Sequence, residues 1–207
     1  MPHKYLLITK SISKPDPNIC HCVQDHPNVL SIYEIWENND ICSIVSEYLH
    51  GGDLLNYCNK QRLPLPEPQV CIIVRQLMRA LRYLHGQNVV HADVKLENCL
   101  FATPGDLESL KLVDFGLSLN IRDAKSIPEG VRGTLNYMAP EILLADRGRP
   151  IMAQVCDRTD VWAAGVVLFT LSCGFLPFNG ASQGEVIQQM TAPEAQIQAR
   201  LMQSPQF

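Results

Sequence analysis

The sequence predicts an α+β fold in which a strand-rich first part precedes a mainly helical second part. Residues 29–49 read VLSIYEIWENNDICSIVSEYL, two runs of β-branched and aromatic residues around a polar turn, which is typical of a β-hairpin. From Pro66 onward, apolar residues recur at steps of three or four until Gly86, and this spacing predicts one long amphipathic helix. A second, strongly apolar helix is predicted over residues 158–173.

The other elements are shorter and follow from composition and from chain-breaking residues. KYLLITKSI has strand-like composition and is ended by the two prolines of KPDPN. The glycines of HGGD link the strand-rich part to the helical part, with room for a cleft between them. We therefore expect a strand within 4–12, short helices at 19–25 and 54–60, strands at 99–102 and 110–113, an irregular stretch at 116–138 and a helix-compatible tail at 182–207.

Length and composition restrict the class of protein. With 207 residues, the chain could form one large domain or two small lobes that share a cleft. Hydrophobic residues make up 46% of the sequence and charged residues 18%, which is ordinary for a globular protein with a buried core. The formal net charge of −4 gives no reason to expect nucleic-acid or anionic-membrane partners. No apolar run reaches the roughly 18–20 residues that span a bilayer, and the first residues do not resemble a secretory signal.

The eight cysteines are scattered through mostly apolar surroundings. This usage fits reduced thiols and predicts a cytoplasmic or nuclear protein. Cys20, His21 and Cys22 lie near His26, but the C-x-C spacing lacks the usual loop of ~2–4 residues and a second pair of ligands. We interpret them as core or surface residues of a short helix rather than as a zinc site.

Two strings could carry phosphate and metal chemistry. Residues 91–98 read HADVKLEN, in a loop between the end of the long helix and a strand. There Asp93, Lys95 and Asn98 could present a base, a cation and a metal ligand to one point. Asp114 follows the apolar run LKLV and opens the tight turn DFG, and carboxylate and amide oxygens are hard ligands that suit Mg²⁺. For either string alone a solvated surface loop is an equal alternative, but both together, in this order, indicate a catalytic site.

These strings belong to a larger set that resembles the eukaryotic serine/threonine protein kinases. The matching strings are, in chain order, SEYLHGGDL (46–54), HADVKLEN (91–98), DFG (114–116), MAPE (138–141) and DVWAAG (160–165). SCGFLPFNG (172–180) is similar to the calcium/calmodulin-dependent and AMP-activated groups. The resemblance implies a protein-kinase-like α+β fold, truncated at both ends, with a reduced β-rich N-lobe and hinge at 1–49 and a mainly helical, incomplete C-lobe at 50–207.

The resemblance also implies ATP and Mg²⁺ as cofactors and a protein serine or threonine as the substrate, with neither nucleic acid nor membrane as a partner. For catalysis it implies that Asp93 accepts or orients the substrate proton, Lys95 neutralises charge on the phosphoryl group and Thr134 braces both. Asn98 and Asp114 would be the metal ligands.

The resemblance implies further roles around the nucleotide. The Glu47 carbonyl and the Leu49 amide would contact adenine, Leu100 would form the floor beneath it and Asp53 would contact the ribose. Ser46 would be a small gatekeeper, and Asp160 would be a structural anchor.

The sequence departs from the kinase pattern in its N-terminal part. No G-x-G-x-x-G precedes the strands, and Lys10 is the candidate for the strand lysine that holds the phosphates. Counting back from HPN, the position of the glutamate that pairs with this lysine falls on Pro17, with Asp16 beside it. Two alternatives to an active kinase therefore stay open: a non-catalytic kinase-like binding module, and a fragment that exposes an apolar face.

Three further positions bear on regulation and substrate choice. The arginine that pairs with Glu141 in kinases has no obvious counterpart, which leaves this carboxylate either solvated or partly buried and uncompensated. Ala92 replaces an arginine that usually contacts a phosphorylated activation loop, so we predict little dependence on phosphorylation of Ser126. Asp53 and Glu97 match positions that meet substrate arginines in basophilic kinases, and a preference for basic residues upstream of the phosphosite is a hypothesis.

Overall fold

The computed structural model describes residues 6–11, 19, 23, 25–37, 42–122, 133–143 and 157–191. Within these residues, strands dominate the first part of the chain and helices the second. The α+β class predicted from the sequence is confirmed. None of the described helices is both long and apolar enough to cross a membrane.

The first sheet contains three antiparallel strands, β1 (Leu6–Ser11), β2 (Ile32–Glu37) and β3 (Cys42–Glu47). β3 lies in the centre, between β1 and β2. The predicted hairpin is confirmed, since β2 pairs with β3 along its length, with an irregularity in register between Ile32 and Glu34. Ile32 and Val45 are buried, while Trp36 near the end of β2 is exposed. The predicted turn covers residues 37–40, and its residues 38–40 lie outside the described part.

Two helices follow, α1 (Leu54–Gln61) and α2 (Glu67–Gly86). Asp53 caps α1, because its Oδ1 accepts a hydrogen bond from the Asn56 N–H at 2.7 Å. Pro66 precedes α2, where a proline removes no hydrogen bond because the first N–H groups of a helix have no intrahelical partner. The predicted apolar stripe of α2 is confirmed, since its members are all buried: Val70, Ile73, Leu77, Leu81 and Leu84.

Five short strands form two further antiparallel sheets: β4 (Gly52–Asp53), β5 (Val89–Val90), β6 (Cys99–Phe101), β7 (Leu110–Leu112) and β8 (Leu119–Asn120). β6 lies between β4 and β7, while β5 pairs with β8. Asp53 lies opposite Leu100, and Leu100 opposite Lys111, so the three residues share one face of the sheet. The prediction of irregular structure over 116–138 was wrong at β8 and at the 3₁₀ turn Leu135–Tyr137. Elements this short leave no periodic pattern in a sequence.

Backbone hydrogen bonds join the segment before β2 to β7. The Leu30 N–H donates to the Leu112 carbonyl at 3.0 Å, and the Leu112 N–H donates to the Asn28 carbonyl at 2.9 Å. The Asn28 side-chain amide donates to the Leu110 carbonyl at 2.8 Å and to Oε1 of Gln76 at 3.2 Å. Because Gln76 is buried in α2, the junction between the two sheets is tied to the long helix.

The last helices are α3 (Pro140–Leu143), α4 (Asp157–Cys173) and α5 (Gln183–Thr191). α4 confirms the helix predicted over 158–173, and it packs against α2. Its apolar residues lie on nearly all sides, which is expected of a helix at the centre of a larger domain. Val161 and Leu168, two turns apart on α4, nevertheless leave 48% and 43% of their surface exposed.

Two predicted helical segments are only partly described. Ile19 and Val23 of the segment 19–25 are buried, and the Val23 N–H donates to the Ile19 carbonyl at 3.1 Å, a spacing of one helical turn. In the tail, α5 lies within the predicted range, and residues from 192 onward lie outside the described part.

Candidate active site

A buried aspartate of α4 holds the loop 91–98 in place. Asp160 exposes 1% of its surface, and its carboxylate accepts hydrogen bonds from the N–H groups of His91 and Ala92, both at 2.9 Å. Its Oδ2 also lies 2.8 Å from Nε2 of His85, near the end of α2. A carboxylate is tolerated in such a place because its oxygens are hydrogen-bonded. The backbone contact that the kinase resemblance implies for Asp160 is therefore present.

Two residues of the candidate site have a left-handed backbone conformation. The φ angle is +64° at Ala92 and +63° at Asp114, in a region that non-glycine residues adopt at a cost of ~1–2 kcal/mol each. Such conformations persist where the surroundings fix them, and they cluster at functional sites. Here they fall within HADVKLEN and DFG, the two strings that the sequence indicates as catalytic.

Asp93, Lys95 and Thr134 form a closed triangle of hydrogen bonds. Nζ of Lys95 lies 2.6 Å from Oδ2 of Asp93 and donates to Oγ1 of Thr134 at 3.0 Å. The Thr134 hydroxyl donates in turn to Oδ1 of Asp93 at 2.9 Å. Thr134 directly precedes the 3₁₀ turn Leu135–Tyr137, so an element 41 residues away in sequence contributes to the loop. The structure brings together the three residues predicted as catalytic.

The carboxyl group of Asp93 is kept ionised. Burial opposes ionisation, but hydrogen bonds from Lys95 and Thr134, the Lys95 charge and a hydrogen bond from Asn98 outweigh it and lower the pKa of Asp93 below its ordinary value. Asp93 is therefore a carboxylate near neutral pH. It can accept a proton or a hydrogen bond from a hydroxyl, but it carries no proton to donate.

Asn98 and Asp114 offer oxygen atoms as ligands for a metal ion. The Asn98 amide nitrogen donates to the Asp93 carbonyl at 2.8 Å and to Oδ2 of Asp93 at 3.1 Å, which leaves its amide oxygen as the atom suited to a cation. Asp114 is exposed, and its Oδ1 accepts the Gly116 N–H at 3.2 Å. The Val113 N–H donates to the Asn98 carbonyl at 2.9 Å, so the two strings are joined beside these ligands. One amide oxygen and one exposed carboxylate fit the hard-ligand chemistry of Mg²⁺.

His91 supports the same junction, and the sequence reasoning gave it no role. Its Nε2 lies 2.9 Å from the Val113 carbonyl, and its ring makes an edge-to-face contact with Phe115 at a centroid distance of 5.3 Å. The Ser118 hydroxyl donates to the His91 carbonyl at 3.2 Å. His91 is fully buried, and a histidine opening a polar loop directly after two buried valines was the signal that could have found it.

The residues predicted to meet adenine and ribose lie around the link between the two sheets. Ser46 is buried, and its hydroxyl donates to the Glu47 carbonyl at 3.1 Å. Leu49 is buried and Leu100 half-buried. Asp53 lies beside Leu100 in register, and its Oδ2 accepts the Asn56 side-chain amide at 2.6 Å. The structure thus places these residues near one another, and their roles toward a nucleotide stay a prediction.

Gly51 explains how closely this link approaches β6. A Cβ atom added at Gly51 would lie 2.5 Å from Cβ and 2.6 Å from the carbonyl oxygen of Phe101. The Gly51 N–H donates to that same carbonyl at 2.9 Å, and the His50 N–H donates to the Ala102 carbonyl at 3.1 Å. Only glycine fits this approach, because any side chain would push the link away from the strand.

Lys111 is a second residue that the sequence reasoning missed. Its Nζ lies 2.7 Å from Oε1 of Glu47, at the end of β3, and donates to the Val29 carbonyl at 3.2 Å. The apolar run LKLV predicted the strand correctly, but a lone lysine in a strand has no feature that distinguishes it from a solvated one. The pairing with Glu47, 64 residues earlier, is visible only in three dimensions.

Several predicted features lie at or beyond the limits of the described residues. The backbone of Lys10 lies in β1 opposite Ser43, while its side chain is outside the described part. Pro17 and Ser126 are outside it as well. Glu141 is exposed, which agrees with the solvated alternative for its carboxylate.

The described cysteines are free thiols: Cys58, Cys71, Cys99 and Cys173. Burial raises the pKa of Cys58 to about 11 and that of Cys99 to about 12, so both thiols are protonated at neutral pH. Among the described residues, no group of three or more His, Cys, Asp or Glu side chains could hold a metal ion. Cys20, His21 and Cys22 lie outside those residues.

Comparison with known proteins gives a consistent result. Residues 14–206 match the family model described as the protein kinase domain. Calcium-dependent protein kinase 6 of Plasmodium berghei is 34% identical over 174 residues, which is 84% of this chain and 11% of that protein. NUAK family SNF1-like kinase 1 of Homo sapiens is 37% identical over 170 residues, 82% of this chain and 24% of that protein. A calcium/calmodulin-dependent serine/threonine-protein kinase of Malus domestica is 35% identical over 172 residues, 83% of this chain and 39% of that protein. The chain thus spans well under half the length of these relatives.

Proposed function

We propose that this chain, which belongs to the protein kinase family, transfers the γ-phosphoryl group of ATP to serine or threonine hydroxyls of protein substrates. The observation that carries the proposal is the triangle of Asp93, Lys95 and Thr134, with Asn98 donating to the same carboxylate. Protein kinases as a family use ATP and Mg²⁺ and act on proteins. The assignment of these roles to residues of this chain is ours.

The chemistry asks each of these side chains for positioning and charge rather than for a covalent step. Asp93 accepts a hydrogen bond from the substrate hydroxyl and takes up its proton as the oxygen attacks the γ-phosphorus, whose bond to the β–γ bridging oxygen breaks to release ADP. The Lys95 ammonium faces the negative charge of the transferring group and is held by Thr134. The Asn98 amide oxygen and the Asp114 carboxylate would hold Mg²⁺, which when bound neutralises charge on the ATP phosphates.

On the nucleotide side, we propose the Glu47 carbonyl and the Leu49 N–H as adenine contacts. Leu100 would lie beneath the base and Asp53 beside the ribose, in agreement with their neighbouring positions on one sheet face. Lys10 stays our candidate for the lysine that holds the phosphates. We further propose a division at residues 49 and 50 into an N-lobe with hinge and a C-lobe, and a cytoplasmic or nuclear location that rests on the cysteine usage alone.

We also propose two properties of the substrate reaction. Glu97 is exposed, and with Asp53 it could attract basic residues upstream of the phosphosite. Because Ala92 offers no guanidinium to a phosphate, changing Ser126 to alanine should alter the transfer rate by less than about twofold. A large loss of transfer rate in the Ser126→Ala variant would contradict the proposed independence of Ser126 phosphorylation.

A second candidate function is a kinase-like module that binds partners without catalysis. The observation that favours it is Pro17 at the position of the paired glutamate. The lysine that holds the phosphates would then lack its partner. The intact triangle around Asp93 favours the catalytic proposal, because a binding module has no chemical need for it.

The test is transfer of labelled γ-phosphate to a serine peptide with upstream arginines, measured beside thermal unfolding with and without Mg·ATP. We expect transfer by the wild-type chain and its loss in Asp93→Asn, which keeps the volume but removes the charge. Asp106→Asn is the matched control, since Asp106 is exposed and its amide form can still accept the Glu108 N–H. A cooperatively folded wild-type chain with neither transfer nor a thermal shift would favour the binding module. A non-cooperative unfolding transition would favour the fragment.

A further inference from the structure

We infer that Lys111 is a positioning residue for adenine recognition, which it serves by fixing Glu47 at the start of the link between the sheets. The inference rests on the proposed function, because it concerns the backbone that would meet the base. Lys111 itself would touch neither the reacting phosphate nor the substrate hydroxyl. Its effect would pass through Glu47.

The Glu47 side chain is held by several contacts. Oε1 of Glu47 lies 2.7 Å from Nζ of Lys111 and accepts the Ser31 N–H at 2.7 Å. The Glu47 N–H donates to the Ser31 carbonyl at 3.0 Å, and Nζ of Lys111 also donates to the Val29 carbonyl at 3.2 Å. The side chains of Lys111 and Glu47 expose 13% and 22% of their surface, so water screens this pair less than it screens a fully exposed one.

Lys111 lies on β7, at the edge of the second sheet. It is directly opposite Leu100 of β6, and Leu100 is directly opposite Asp53 of β4. Directly opposed residues lie on the same face of a sheet, so Lys111 shares a face with the proposed floor and the proposed ribose contact. From that face its ammonium group reaches Glu47. It thereby connects the floor of the proposed pocket to the backbone at its edge.

The link 47–51 is held at both of its ends. At its far end, the N–H groups of His50 and Gly51 donate to the carbonyls of Ala102 and Phe101, respectively. At its near end, Glu47 is fixed by Lys111 and Ser31. The two backbone groups proposed for adenine, the Glu47 carbonyl and the Leu49 N–H, belong to the stretch between these attachments. Removing the ammonium group removes one of the two attachments at the near end, because a partly buried carboxylate that loses its cation turns toward water.

The experiment measures the affinity of adenosine, which lacks phosphates and would bind through the base and ribose contacts alone. We compare the wild-type chain with Lys111→Met, Lys111→Arg and Lys60→Met, at a temperature where circular dichroism shows all four folded. Lys60→Met is the matched control, because Lys60 is exposed in the last turn of α1. We expect the Kd for adenosine to rise about fivefold or more in Lys111→Met, at the lower end of typical couplings between sites. It should stay within about twofold of wild type in Lys111→Arg, which keeps the positive charge, and in Lys60→Met.

A double variant separates positioning from a general loss of stability. If Lys111 acts through Glu47, adding Lys111→Met to a Glu47→Gln background should weaken adenosine binding much less than it does in the wild type. An unchanged or lower Kd in Lys111→Met, or equal losses in both backgrounds, would overturn the inference while leaving the proposed function standing. A folded wild-type chain that binds no adenosine would overturn the proposed nucleotide site first, and this inference with it.

Discussion

The loop 91–98 and the first sheet are held by different kinds of contact. The loop depends on buried side chains, since Asp160 and His91 join it to α4 and to the segment before DFG, and Asn98 binds a carbonyl within the loop. The first sheet depends on its own strand pairing and on a few contacts near its end, chiefly those of Glu47 with Ser31 and Lys111. The proposed phosphoryl-transfer groups are therefore fixed from several sides, whereas the proposed adenine contacts depend on a small number of attachments.

The largest effect is expected at the anchor of the loop. Asp160→Ala removes the acceptor of the buried His91 N–H and of the partly buried Ala92 N–H, and removes the partner of the His85 ring. The free energy of unfolding should fall by about 3–5 kcal/mol, measured by urea titration. Asp157→Ala, on the same helix but exposed, should change it by no more than about 1 kcal/mol. Equal effects of the two substitutions would show that the loop is not held as described.

The next effect concerns the triangle itself. Thr134→Val keeps the shape of the side chain but removes the hydroxyl that donates to Asp93 and accepts from Lys95. The rate of phosphate transfer should fall about 10–100-fold, because a small displacement of a reacting group has an effect of this size. Thr134→Ser should retain most of the rate, since it keeps the hydroxyl. Identical rates for Thr134→Val and the wild type would show that the Thr134 hydroxyl has no part in phosphate transfer.

A smaller effect tests the close approach of the link to β6. Gly51→Ala places a methyl group against Phe101 and should lower the free energy of unfolding by about 1–3 kcal/mol. Gly86→Ala, at the end of α2, meets no atom within 4 Å and should be neutral or slightly stabilising. Chemical denaturation of the two variants gives the comparison. A Gly51→Ala variant as stable as the wild type would show that the link can move away from β6 without lowering the free energy of unfolding.

The smallest effect is a pH dependence at the junction between the sheets. Nδ1 of His26 accepts the Asn28 N–H at 3.1 Å, and burial, followed by the charges of Lys111 and Arg79, lowers the pKa of His26. Because the folded-state pKa lies below the unfolded value of about 6.5, the unfolded chain binds more protons, and stability falls as the pH falls below that value. The difference in unfolding free energy between the wild type and His26→Gln should therefore shrink on acidification. A difference that grew instead would contradict the direction of this pKa shift.

The elements that were predicted correctly are those whose signal lies within one stretch of sequence. The spacing of Val70, Ile73 and Leu77 identifies α2 because a helix repeats every 3.6 residues, and each of these positions is buried. β8 was missed because two residues form no period, and only its pairing with β5 makes it a strand.

The same distinction applies to the candidate site. The convergence of Asp93 and Lys95 on one point could be predicted because both residues lie in one string, whereas the pairing of Glu47 with Lys111 could not. His91 was passed over because its partners, the Val113 carbonyl and the Phe115 ring, come from another segment. The alanine side chain at position 92 also does not predict the left-handed backbone conformation found there. It follows from the hydrogen bonds that Asp160 makes to the backbone around it.

The parallel pairing of Val29 with Leu112 has a consequence for motion. Any rotation of the first sheet away from β7 must lengthen the hydrogen bonds made by the Leu30 and Leu112 amides. These two amide protons should therefore exchange with solvent together, at a rate set by the opening of the junction rather than by unfolding of either sheet. Their common protection against exchange, followed with and without nucleotide, would give the free energy of that opening.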